Sequence, residues 1–401
     1  MRGPTPRRLL KFLCDRLHLK GYLRAPGDGR RRPQIPAWSL LWSILIAQIL
    51  REVSFHAVEA LVRSRARRAL GVGHSFGDDT LGYFTQRLDP EPMRQAMASV
   101  VKQAKRNKAF DDTWLIGLAL DGTAVGRCSR SVCELCHPVR DSEQHIVCYL
   151  HRFCMISVAA TTLKLPVDIE PYGPGDSEYS AGQRLLRRAV GNLGGRFAQF
   201  VVADGEFATA PFLHAAGDLG LRVIACLKAN LPELSAAAQA RFAQQPAHTS
   251  IQVGKDRVEM WDADDFDPWE TLRWSSVRVL RYRQHKPDGR VVEAYWLTDL
   301  PTRKVGSASL YRLAKSRWEI ENQGFNDGKN RHGMGHITHH HANALLVWWL
   351  LAAFAIMIER LYRARFAHRG NHSIRTAIEF CRLLRLAQSA PAARPAPADT
   401  S

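Results

Sequence analysis

Trp114 to Asp121 reads WLIGLALD, and Phe197 to Asp204 reads FAQFVVAD. Each is a short apolar run that closes on an acid, the pattern of a buried strand delivering a carboxylate at its carboxyl end. Two such strands side by side in an open α/β sheet bring their acids together, because ligands bind beyond the carboxyl ends of the strands. A strand-terminal Asp taken singly is more often a turn or cap residue than a metal ligand, so the pair alone does not decide the chemistry.

Working outward, RFCMISVAA (152–160) and KLPVDIEPY (164–172) read as two further strands forming a hairpin, and EYSAGQRLLRRAVGNL (178–193) reads as a helix. A helix over 210–219 and a strand, RVIACLKA, follow Asp204. This order predicts an α/β core of a mixed sheet with flanking helices, its first part spanning 111–248. From about Thr249 the alternation stops: SIQVGKDRVEMWDADD, LRWSSVRVLRYRQHK, a Pro-Asp-Gly turn and RVVEAYWLTDL predict a β-rich insertion over 249–302. Helices resume, giving a C-terminal helical part of the core over 303–388, and the Pro/Ala-rich residues 389–401 read as a disordered tail.

The amino-terminal third is helical and basic. Residues 1–36 carry ten Lys/Arg against Asp15 and Asp28 and end in APGDGRRRPQIP, which reads as a basic arm with a flexible joint. Residues 37–110 read as a small helical domain whose Arg63, Arg65, Arg67 and Arg68 either solvate a helix surface or contact DNA; Arg63 and Arg67 are the candidates for contact. The whole chain has a formal charge of +18 and a pI near 9.9, which implies a polyanionic partner, nucleic acid or an anionic membrane. Two apolar runs, 37–50 and 342–358, fall short of the roughly 20 residues that span a bilayer. Both are expected to be buried core helices, with no membrane partner. Eight cysteines without a signal-peptide pattern point to the reducing cytoplasm, at the nucleoid if DNA is the partner.

Tyr311 to Lys329 reads YRLAKSRWEIENQGFNDGK, a helical segment in which Arg317 and Glu321, four residues apart, share a face. By itself that is a surface ion pair. Together with LALDGT around Asp121 and VVADGEFATAPFL around Asp204, however, RWEIENQGFNDGKN resembles the third motif of the insertion-sequence DDE transposases, the group with a Tyr-Arg-Glu-Lys signature helix. The resemblance covers most of the chain. It implies an RNase H-like catalytic sheet interrupted by a β-rich insertion and preceded by a helical DNA-binding domain. It makes Asp121, Asp204 and Glu321 the catalytic ligands of two Mg2+ (or Mn2+) ions, and places Arg317 and Lys329 on DNA phosphate. The implied activity is metal-dependent cleavage and strand transfer of double-stranded DNA, both terminal repeats and target, by an enzyme acting as a homodimer on that DNA.

Here five residues separate Tyr311 from Arg317, and Gly328 stands where the signature has its Lys, with Lys329 one further on. These displacements motivate a second reading, a catalytically decayed, transposase-derived DNA-binding protein. A third is a metal-dependent nuclease on the same fold. Glu319 is a rival to Glu321; two residues apart on a helix they point different ways, and Glu321 has the four-residue spacing from Arg317. The residue types suit the chemistry: carboxylates seat hard divalent cations, and two such ions about 3.5–4 Å apart serve both the attacking and the leaving oxygen of a phosphodiester.

Between the first two core strands lies RCSRSVCELCHPVRDSEQHIVCYLHRFC. Cys133 and Cys136 have zinc-ligand spacing, and Cys148 with His145 or His151 would complete a tetrahedral structural Zn2+ site; the ligand set Cys133, Cys136, Cys148 and His151 is weighed equally against unliganded thiols. The GHITHHH run and His332 follow the Glu321 segment. A polar cap on the next apolar helix is the favoured reading, over contact with DNA phosphate or a catalytic water.

Overall fold

The computed structural model describes residues 5–367 and 376–389; all of the expected tail beyond Ser389 lies outside them. Ten strands form one mixed sheet: β1 (Gly117–Cys128), β2 (His137–Arg140), β3 (Ile146–Ala159), β4 (Pro166–Tyr172), β5 (Phe200–Ala203), β6 (Arg222–Leu227), β7 (Thr249–Val253), β8 (Asp256–Phe266), β9 (Val277–His285) and β10 (Val291–Thr298). The order is β2-β3-β1-β5-β6-β10-β9-β8-β7, with β4 also paired to β3. β1 runs antiparallel to β3 and parallel to β5, and β5 runs parallel to β6. The expected mixed sheet with flanking helices is therefore present.

Two expectations change. The first strand does not stop at Asp121 but continues to Cys128, because β3 is a 14-residue partner that pairs with it throughout. The segment 249–302 is no separate insertion: β10 pairs with β6 from Thr298↔Ile224 to Tyr295↔Leu227, so β7 to β10 prolong the same sheet. Each of those strands was legible, but alternation along a strand does not reveal which neighbour it joins.

Helices cover both faces. On β3, Phe153 packs on Trp349 with ring centroids 4.8 Å apart, while the next residue, Cys154, donates to the Glu178 carbonyl. Successive residues point to opposite faces, so the Ala342–Tyr362 and Glu178–Leu193 helices lie on opposite sides. The Ala342–Tyr362 helix, at 21 residues, is longer than its apolar run suggested, because Glu359 and Arg360 continue it. With its extension to Phe366 it is long and apolar enough to cross a membrane, yet 89% of its apolar window is buried inside the protein. It packs against the almost wholly buried Ala37–Ile49 helix. His341 caps it by accepting from Asn343 N, which absorbs one member of the histidine run.

The described part of the expected basic arm is folded. Thr5 caps the Pro6–Lys11 helix, Leu9, Leu13, Leu17 and Leu19 are buried, and Phe12 meets Tyr362 edge-on at 5.4 Å. Charge dominated the reading of this segment, but its leucines are spaced to bury one side and leave the basic groups outside.

Candidate active site

The β1–β5 ladder ends at Leu120↔Ala203, which sets the next residues, Asp121 and Asp204, level with one another at the point where β5 stops and β1 continues. Beyond that point the β5 side of β1 is unpaired and side chains can approach from both faces. In each case the residue after the acid is glycine, for a steric reason. A Cβ on Gly122 would fall on the Glu178 carboxylate, and one on Gly205 would lie 2.8 Å from Lys228 Cδ and 3.1 Å from the Cys226 carbonyl.

From one face comes the segment after the Ser307–Lys315 helix. The chain turns at Ser316–Arg317 and forms a π-helical turn, Ile320–Phe325, before the Asn326–Arg331 helix. π turns inside helices recur at functional sites. Gly324 lets this one lie close on β3, since a Cβ there would meet Met155 Sδ at 3.3 Å, and Met155 is the strand partner of Asp121. Arg317 Nη1 then donates to Asp121 Oδ2 at 2.7 Å and pairs with Glu321 Oε1 at 2.8 Å. One nitrogen thus ties together acids from β1 and from the π turn. Trp318 steadies the guanidinium, whose carbon lies 5.0 Å from its ring centroid. Glu319 faces away, to Lys164 Nζ at 3.2 Å and Ala160 N. Tyr311 is likewise elsewhere, against Tyr282 and Gln284.

From the other face comes Glu178, the first residue of its helix, which Tyr172 Oη reaches at 3.0 Å. Sequence reasoning missed this fourth acid, because a Glu after a Ser N-cap reads simply as complementing the helix dipole. It missed Lys228 as well, whose ammonium pairs with Asp204 Oδ1 at 2.7 Å; the strand-end position of RVIACLKA was the available signal.

The electrostatics follow from this crowding. Burial pushes the Asp121 carboxyl up to about 7; Arg317 opposes the rise, and Glu178, Glu321 and Asp204 add to it. Glu178 is raised by burial, with the Tyr172 hydroxyl opposing and Glu206 and Asp204 adding. Asp204 goes the other way: burial works against its charge, but Lys228 and the Gly205 N–H outweigh it and hold the carboxyl below the usual range. The acids repel one another, and positive charge relieves the repulsion. Here Arg317 and Lys228 supply it, and the three expected ligands do not close to the spacing of Cys133, Cys136 and His151, whose ligand atoms lie within 4.8 Å of one another.

Of the other expected residues, Lys329 Nζ donates to Thr123 Oγ1 at 2.6 Å, two residues along β1 from Asp121 and so on the same face. Arg317, expected on phosphate, is only 7% exposed and is spent on the acids. Arg63 is an exposed i,i+4 partner of Glu59 at 2.7 Å, and Arg67 lies on the short Arg65–Leu70 turn. Cys133, Cys136 and His151 meet, but Cys148 does not join them, because it is three residues from His151 on β3 and points to the opposite face.

No family model and no curated protein matches this chain. Among solved structures, a piggyBac transposase synaptic complex with hairpin DNA superposes with a TM-score of 0.46 at 12% identity, over 96% of this chain and 80% of that one.

Proposed function

We propose that the protein is a DDE-type DNA transposase, in which Asp121, Asp204 and Glu321 hold divalent cations for cleavage and strand transfer of an insertion sequence. The observation that carries this reading is the convergence of three distant acids: Asp121 and Asp204 level across the β1–β5 ladder, and Glu321 on the same guanidinium as Asp121. The strand order β4-β3-β1-β5-β6 supports an RNase H-like core. The donors fit Mg2+ or Mn2+, being hard oxygens in a partly buried acidic cluster that already demands positive charge. When bound, such ions activate a water or a DNA 3′-hydroxyl and stabilise the leaving oxygen.

The chain's own residues do the rest. Arg317 orients the Asp121 and Glu321 carboxylates, and Lys228 keeps Asp204 ionised. Glu178 adds negative potential from the far face. Lys329, beside Thr123, lies within reach of a phosphate lying over β1, and the exposed Arg63 and Arg67 are offered to the DNA flank. Double-stranded DNA is the proposed partner, and handling two ends together calls for a homodimer on it.

The decayed-enzyme reading has one observation in its favour, the burial of Arg317 between two of the acids. If short inverted repeats bracket the gene, cleavage of DNA carrying them separates the readings. We expect Mg2+-dependent nicking by the wild type, lost in Asp204→Ala with DNA binding retained; binding without any nicking selects the decayed enzyme. Hydrolysed ends with no joining of a 3′-hydroxyl donor select the nuclease.

A further inference from the structure

The loop between β1 and β2 folds back so that three soft donors meet away from the acids. Cys133 Sγ lies 3.2 Å from His151 Nε2 and 3.5 Å from Cys136 Sγ, and Cys136 Sγ lies 3.6 Å from the same nitrogen. The imidazole is fully buried and its Nδ1 has no partner among the described residues, so the two sulfurs are what its polar edge addresses. The Cys133–Cys136 turn is closed by Cys136 N donating to the Cys133 carbonyl, and the Leu135 N–H points at the Cys133 sulfur.

Strand register identifies a fourth donor. β1 carries a bulge at Gly126 (φ +62°), which takes no partner while Val125 pairs with His151 and Arg127 with Leu150. An extra residue reverses the facing of everything beyond it. Cys128 therefore pairs with Tyr149, two residues from His151 and on its face. Without the bulge it would point the other way, as Cys148 does. Cys128 is close enough to feel the charge of Cys136: burial raises its thiol first, and Cys136 adds to the rise.

We infer that Cys128, Cys133, Cys136 and His151 form a structural Zn2+ site that clamps the outer end of the β1–β3 hairpin. Three thiolates and a neutral imidazole are a tetrahedral, closed set with no open position for catalysis. Binding requires the thiols to release their protons, and the ion supplies the charge that makes this favourable.

The test uses the full chain purified under reducing conditions without chelator. Elemental analysis is expected to find one zinc per chain. In competition with a chromophoric chelator, Cys128→Ser is expected to weaken zinc binding by roughly 100-fold, whereas Cys148→Ser leaves it unchanged. On the wild type, alkylation mapped by mass spectrometry should show Cys128, Cys133 and Cys136 protected until the metal is removed, a readout that stands even if a variant fails to fold. Absence of zinc overturns the site. Zinc that survives Cys128→Ser, depends on Cys148, or leaves Cys128 open to alkylation overturns the ligand set. None of these readouts depends on DNA cleavage, so the site stands or falls apart from the proposed transposase activity.

Discussion

Two candidate ligand sets share one strand, Asp121 and Cys128 being seven residues apart on β1, and they are built on opposite plans. The acids are hard, charged and mutually repelling, and protein cations sit among them: Arg317 on Asp121 and Glu321, Lys228 on Asp204. The other set is soft, and its Cys133, Cys136 and His151 donors gather within 4.8 Å of one another. A site that must fold before its ion arrives, and release it again, needs charge compensation of its own. A site that keeps its ion does not. On the proposed reading, the acids make an exchangeable centre and the thiols and imidazole a permanent one.

Removing an acid should break the first plan outright. Asp204→Asn or Glu321→Gln is expected to lower Mg2+-dependent DNA cleavage by at least about 10³-fold, since bound metal contributes several kcal/mol to the transition state. Glu319→Gln, which touches only Lys164 and Ala160, should change the cleavage rate little; a comparable loss there would move the site to the other acid.

Removing the compensating cation tests the contrast itself. Arg317→Met leaves two acids facing one another, one of them buried, and should cost the metal-free protein roughly 3–5 kcal/mol in denaturant unfolding, because breaking a buried pair strands a charge. Added Mg2+ should restore more stability to this variant than to the wild type. Equal stabilisation of both would show that Arg317 and the ion do not serve the same acids.

A smaller effect is carried by pH. The Asp121 carboxyl titrates near 7 in the folded protein and near 3.8 when unperturbed. Between those values the folded state holds a proton that the unfolded chain has lost, so metal-free stability should fall as pH rises through that window. Thermal unfolding of wild type and Asp121→Asn across the window measures this; parallel curves would remove Asp121 as the source. The smallest change expected is for Arg63→Ala, an exposed pair worth at most about 1 kcal/mol to stability. In DNA-binding titrations it should lower the salt slope by about 1 with no change in cleavage chemistry.

The strands ending near Asp121 and Asp204 were legible because buried strands write themselves as apolar runs, whereas Glu321 was singled out only through the resemblance. What the sequence hid depended on register and on contacts across the chain. The bulge at Gly126 is one residue among several glycines, yet it decides that Cys128 and not Cys148 faces His151. Glu178 looked like an ordinary helix-start residue until Gly122 made room for its carboxylate. The pairing of β10 with β6 joined an apparent insertion to the same sheet as four of its ten strands. Arg317 was legible as a partner of Glu321, but its bond to Asp121 spans 196 residues and no local pattern announces it.

Asp121, Asp204 and Glu321 are proposed to grip the same divalent ions. Iron(II)-directed backbone cleavage tests this most directly: Fe2+ in place of Mg2+, with ascorbate and peroxide, cuts the chain next to its own ligands, and mass spectrometry maps the cuts. The account predicts cuts beside all three acids, suppressed by excess Mg2+ and lost together in Asp204→Asn. Cuts confined to other segments, or cuts near Asp121 and Asp204 with none near Glu321, would contradict it.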